Sequence, residues 1–191
     1  MSLGIFRSIR GSYVPQYRRE ADKMILRLNA ELKARGLPEY HDPDPGERGL
    51  RRLPCDHAGA RTFSQLQKLA EEAGLSWTIG RLRSERWIAL PLEFDGTFSV
   101  RLGRVLFFFP RVQLFTSVRT VYEELIALAP VLRIPFTDGS LGETTAERLA
   151  NGLSLAEDEP AGFLEDERVL WLDLYYAARY CMEDSAPLVI A

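Results

Sequence analysis

The sequence predicts an α+β fold in a single domain, a small three-stranded antiparallel meander packed among about five helices. Three observations carry this expectation. Stretches whose apolar residues recur every three or four positions surround one block, residues 86–109, in which strand-forming residues flank an Asp-Gly pair. The 191 residues are 46% hydrophobic and 27% charged, the balance of an ordinary globular protein long enough to bury a core. No internal repeat, low-complexity tract or domain boundary divides them.

From Val14 to Arg35 the apolar positions Val14, Tyr17, Ala21, Met24, Ile25, Leu28 and Leu32 form a helical stripe, stopped by Gly36 and Pro38. Residues 1–36 therefore read as a basic helical arm. Residues 37–61 read as a long loop, because His41-Asp42-Pro43-Asp44-Pro45-Gly46 suits neither helix nor central strand. The mixed body spans 62–191. It opens on a helix with Thr62 and Gln65 as a capping box and Gly74 as its stop.

Strand character begins near Arg86. Trp87 to Phe94, then Asp95-Gly96, then Thr97 to Leu102 read as a hairpin, because Gly accepts the positive φ of a tight turn. Gly103 starts the reversal into Arg104 to Phe109, which completes the meander. Both faces carry apolar residues and require cover, while Pro91, which has no N–H, marks its strand as an edge or a bulge. The cover is expected from three helices: one capped by Thr116 or Ser117, a short one capped by Thr144, and one from Val169 to Met182. The last is apolar nearly all round, the pattern of a central core helix. The segment Pro187 to Ala191 is expected as an edge strand.

Charge narrows the function classes. Net charge is −3, with +4 in residues 1–52 and −7 in the remainder, which argues against a dedicated nucleic-acid binder despite Arg48, Arg51, Arg52, Arg61, Arg81, Arg83 and Arg86 beside Trp77 and Trp87. With 21 Arg against 3 Lys, the basic charge reads first as compositional bias of a bacterial genome rich in G and C. Two cysteines 126 positions apart, Cys55 and Cys181, give no disulfide framework, and no apolar run is long enough to span a bilayer, so a cytoplasmic protein is expected.

The densest reactive chemistry is His41, Cys55 and His57. Imidazole and thiolate are zinc ligands, and a thiol beside an imidazole is a nucleophile pair, so these three are the candidate metal and catalytic residues, although their spacing matches no paired-ligand motif. Asp173, a carboxylate inside the most apolar helix, is a further catalytic candidate whose bland counterpart is a structural ion pair. No phosphate-binding glycine loop and no nucleophile elbow occurs. The leading expectation is accordingly a non-enzymatic bacterial accessory protein, of the toxin-neutralising kind, that binds a protein partner or a second copy of itself. Its candidate surface is Glu157, Asp158 and Glu159 with Trp77 and Trp87, and no cofactor is expected. The competing expectation is a small enzyme or zinc site built on the His41, Cys55 and His57 cluster.

Overall fold

The computed structural model describes residues 4–43, 60–75, 78, 87–105, 109–137, 140–160 and 162–190. In chain order it contains β1 (Ile5–Phe6), α1 (Arg18–Ala34), α2 (Ala60–Glu72), β2 (Trp87–Leu90), β3 (Thr97–Val105), β4 (Phe109–Ser117), α3 (Val118–Leu128), a minor pair β5 (Phe136–Thr137) and β6 (Ser140–Leu141), α4 (Glu143–Ala150), α5 (Glu165–Glu183) and β7 (Leu188–Ile190).

The fold is α+β, but the expected meander is corrected. The main sheet has five strands in the order β1-β7-β2-β4-β3, and β2 runs parallel to β4 while every other neighbouring pair is antiparallel. The Asp95-Gly96 turn does reverse the chain, with Gly96 at φ 73°, yet the two strands it joins are not neighbours. β2 stops at Leu90, immediately before Pro91, and residues 91–96 carry the chain far enough for β4 to insert between β2 and β3. Pro91 thus terminates a central strand and does not mark an edge. Gly103 is likewise no turn: at φ 140° it lies within β3, beside a register shift between Arg101 and Gly103 that bulges the strand. The expected C-terminal edge strand is interior, since β7 lies between β1 and β2.

Period-two alternation sorts the strand residues onto two buried faces, as the apolar pattern required. Trp87, Ala89, Leu188, Ile190 and Ile5 belong to a core shared with α2, α3, α4 and α5. Ile88, Leu90, Val189, Phe98, Val100 and Phe115 belong to a second core closed by α1. The result is three layers, helix on sheet on helices.

α1 buries Ala21, Met24, Ile25, Leu28 and Leu32, so the anticipated arm is an outer layer of this fold. Val14 and Tyr17 fall off the stripe and are 53% and 56% exposed, because Pro15–Tyr17 forms a 3-10 turn whose tighter pitch shifts the helical phase. Gly36 ends the helix at φ 70°; its N–H bonds to Lys33 O at 3.1 Å and that of Leu37 to Leu32 O at 2.9 Å, a Schellman stop.

α5 is the central helix expected. Trp171 and Tyr175 are fully buried and stack at 5.1 Å with 9° between planes, and Trp171 Nε1–H donates to Leu125 O at 2.8 Å. That bond satisfies the one polar atom of the indole and locks α5 against α3.

Candidate functional site

The residues singled out from the sequence do not assemble into one site among those described. His41 is exposed, and Cys55, His57 and Trp77 lie outside the described residues, so the zinc and nucleophile readings built on them rest on the sequence alone. Asp173 is half-buried on α5 and has an interaction partner. Trp87 is 5% exposed and sits in the core beside Ile5 and Ala89, which corrects its candidacy as a partner-binding or base-stacking surface. Cys181 is buried with Sγ 3.4 Å from Pro187 O, and burial pushes its thiol pKa up to about 12.

Of the acidic run, Glu157 and Asp158 are exposed, whereas Glu159 is removed from the surface. Its side chain is 2% exposed and meets Arg168, 4% exposed, in a two-pronged ion pair with Nη1 on Oε2 at 2.8 Å and Nη2 on Oε1. The Leu155 N–H and Ser154 hydroxyl also donate to Oε2, at 3.0 and 3.1 Å. Glu159 therefore fastens the α4–α5 connection, and the three-residue acidic surface is reduced to two. The Arg168 hydrogen bonds hold its carboxyl down at about 2, against burial that acts the other way.

Two further carboxylates do similar work without having been foreseen. Asp42, its side chain wholly buried, accepts from Ile9 N–H at 2.7 Å, Arg10 N–H at 2.9 Å, the Ser8 hydroxyl at 2.8 Å and the Tyr40 hydroxyl. Burial first, then the Asp42 charge, raises the Tyr40 phenol well above its ordinary pKa, which keeps it a donor. Glu124 of α3, next to the exposed Glu123, is buried and accepts from Thr78 N–H at 2.8 Å and from the Thr78 hydroxyl. All three are loop fasteners, saturated by donors from their own chain.

Concavity with unsaturated polar chemistry lies elsewhere, at the carboxyl ends of the parallel strands. β1, β2 and β4 point the same way, so the segments leaving them emerge along one sheet edge, the place where α/β sheets present ligand crevices. Two adjoining hollows of about 280 and 410 Å³ occupy that edge and share Glu93, Ser117 and Arg119. The first is floored by Leu90, Leu92, Val118 and Met182; the second is rimmed by Glu93, Asp95 and Glu123.

Local chemistry places each wall. β4 passes directly into α3, and Ser117 caps the helix by accepting the Arg119 N–H at 3.2 Å. The loop that carries Glu93 and Asp95 is fastened at its middle and at its far end. Phe94 packs on Phe98 at 5.2 Å, and the Thr116 hydroxyl donates to Gly96 O at 3.0 Å. Arg119 crosses the trough, with Nη1 2.9 Å from Glu93 Oε1 and Nε 3.0 Å from Glu123 Oε1. The Glu123 hydrogen bond, and then the Glu93 charge, raise its already high pKa. Three carboxylates against one guanidinium leave a surplus of two negative charges, which outweighs the roughly half positive charge at the α3 N-terminus. The trough therefore favours a cationic, partly apolar guest.

One part of this site is legible in the sequence, Ser117, one of the two residues expected to cap α3. The rest depends on β2 and β4 being parallel neighbours, for which no local signal exists. Among the described residues no group of three or more His, Cys, Asp or Glu is arranged to hold a metal, and no helix is long and apolar enough to cross a membrane. Comparison with protein-family models, with characterised proteins and with solved structures finds no match to this chain.

Proposed function

We propose that the chain is a protein-binding accessory module that seats an extended, apolar and basic segment of a partner protein in the trough at the carboxyl ends of β2 and β4. The observation that carries this reading is the pairing of an apolar floor at Leu92, Val118 and Met182 with a net-negative rim at Glu93, Asp95 and Glu123. A basic partner is steered by that rim and by the surplus of acid over residues 53–191. The apolar floor then contributes affinity that salt does not screen.

The test is a titration of the isotopically labelled protein with a peptide of alternating leucine and arginine, followed by backbone amide shifts. Changes concentrated at Leu92, Arg119 and Met182, and weakening with added salt, support the reading. Changes mapping elsewhere, or equal binding of a leucine–glutamate peptide, remove it.

A further inference from the structure

We infer that Arg119 is an intramolecular stand-in for an arginine of the partner, occupying the acidic half of the trough until the partner's guanidinium displaces it. The inference rests on the trough being the binding site and goes further by naming the group recognised and what stands in its place.

Arg119 itself shows which chemistry satisfies the rim. Glu93 lies on the loop after β2 and Glu123 lies on α3, and a single guanidinium reaches both, through Nη1 at 2.9 Å and Nε at 3.0 Å. A planar fork with donors on separate nitrogens suits two carboxylates on separate elements, whereas an ammonium is a point charge without that fixed geometry. The pairs are also exchangeable. Arg119 is 62% exposed, Glu93 84% and Glu123 63%, so water screens both contacts and little holds the arginine in place. Asp95 adds a third carboxylate to this rim.

Position gives Arg119 a second effect. It lines both hollows, so its side chain stands at the partition between the apolar floor and the acidic rim. Moving it aside joins the two into one continuous trough. An incoming segment then places a leucine-like side chain over Leu92 and Met182 and an arginine between Glu93 and Glu123. Binding exchanges one internal guanidinium for an external one, so the ion pairs contribute little net affinity in the native chain and specificity comes from their geometry.

The experiment is fluorescence anisotropy of the full chain with a labelled leucine–arginine peptide and with its twin carrying neutral citrulline for each arginine. Arg119→Ala and Arg119→Gln should bind the arginine peptide roughly two- to tenfold tighter than the native chain, since two exposed ion pairs no longer compete with the guest. The citrulline twin should gain less, and adding Glu93→Gln and Glu123→Gln to Arg119→Ala should abolish the preference for arginine over citrulline that the single variant shows. Thermal melting of each variant, expected unchanged at these exposed positions, separates folding from binding. If the native chain binds the arginine peptide and the Arg119 variants bind it equally or more weakly, the stand-in role is refuted while the trough remains a binding site. If neither the native chain nor the variants bind it, the trough reading falls and this inference with it. A leucine–glutamate peptide that binds the native chain and is lost by Arg119→Ala would instead make Arg119 an anion receptor and overturn both.

Discussion

Replacing Glu159 with glutamine should be among the most damaging single-atom changes available to this fold. The carboxylate receives four donors, two from Arg168 and one each from Leu155 N–H and the Ser154 hydroxyl. Arg168 also donates through Nε to Leu132 O at 2.8 Å and lies 5.2 Å over the Phe163 ring, so it has no free route to water. Glutamine keeps the shape but sets an NH₂ group against donors and leaves the guanidinium charge buried without a counter-charge. Breaking such a pair costs about 3–5 kcal/mol, a large share of the roughly 5–15 kcal/mol that holds a protein folded. For a chain of this size that is a fall in melting temperature of roughly 10 °C. The acid side supplies an independent check. Glu159 is held from its ordinary 4.5 down to about 2, so its contribution is complete above pH 4.5 and is lost as the pH falls toward 2. Urea unfolding followed by tryptophan fluorescence, from pH 7 down to pH 3, should therefore show the gap between native chain and Glu159→Gln narrowing below pH 4.5. A gap under about 1 kcal/mol at pH 7 would refute the reasoning, as would one that stays constant on acidification. Glu159→Leu combined with Arg168→Met should recover most of the loss, because an apolar pair of similar volume carries no desolvated charge.

Asp42→Asn should free residues 8–10 and cost about 1–3 kcal/mol, since one of its two oxygens becomes a donor facing donors; hydrogen exchange at Ile9 and Arg10 should quicken before exchange in α5 does. Gly36→Ala should cost about 1 kcal/mol for its left-handed backbone alone, because nothing lies within 4 Å of the added carbon. Gly152→Ala, also at positive φ, should cost about the same, because the Glu165 carboxylate in the way of the added carbon ends an exposed, flexible side chain that can swing aside; chemical denaturation of Gly152→Ala with and without Glu165→Ala checks this, and a cost that falls by more than half when Glu165 is truncated would disprove it. Cys181 should resist iodoacetamide in the native protein at pH 8 and react once urea is added, with the modified peptide located by mass spectrometry, since burial keeps the thiol protonated until about pH 12.

What the sequence disclosed follows from the range of each interaction. Helical stripes and stops are local, and α1, α2, α3 and α5 lie close to where their apolar spacing placed them, with Gly36 and Gly74 as the foreseen stops. The caps are less legible: of the two alternatives Thr116 and Ser117 it is Ser117 that caps α3, while Thr62 and Thr144 lie inside α2 and α4, because other residues take the first turn. Alternation correctly required cover on both faces of the sheet but was silent on neighbours. Nothing around Asp95-Gly96 reveals that β4 will part β2 from β3, or that residues 188–190 will flank β2 on its other side. The candidate site fails for the same reason, since Leu92, Glu93, Arg119 and Met182 converge only once that pairing exists. The buried carboxylates show a further limit: Glu159 and Glu124 each adjoin an exposed acidic residue in sequence, and only the positions of Arg168 and Thr78 set them apart.

The interior place of β7 also bears on how quickly the molecule can assemble. Ile88 pairs with Val189, 101 positions later, and Ile5 pairs with Ile190, 185 positions later. During synthesis β1 can find no neighbour until the ribosome has passed residue 190, and β2 must wait just as long for half of its ladder. The β3–β4 hairpin and its α3 extension can form early from nearby contacts, whereas the middle of the sheet closes only after a long loop entropy has been met. Until then the edge of β2 and the apolar faces of Trp87 and Ala89 stand open to other chains. Refolding should accordingly be slow and sensitive to protein concentration, with the last phase reporting the docking of β7.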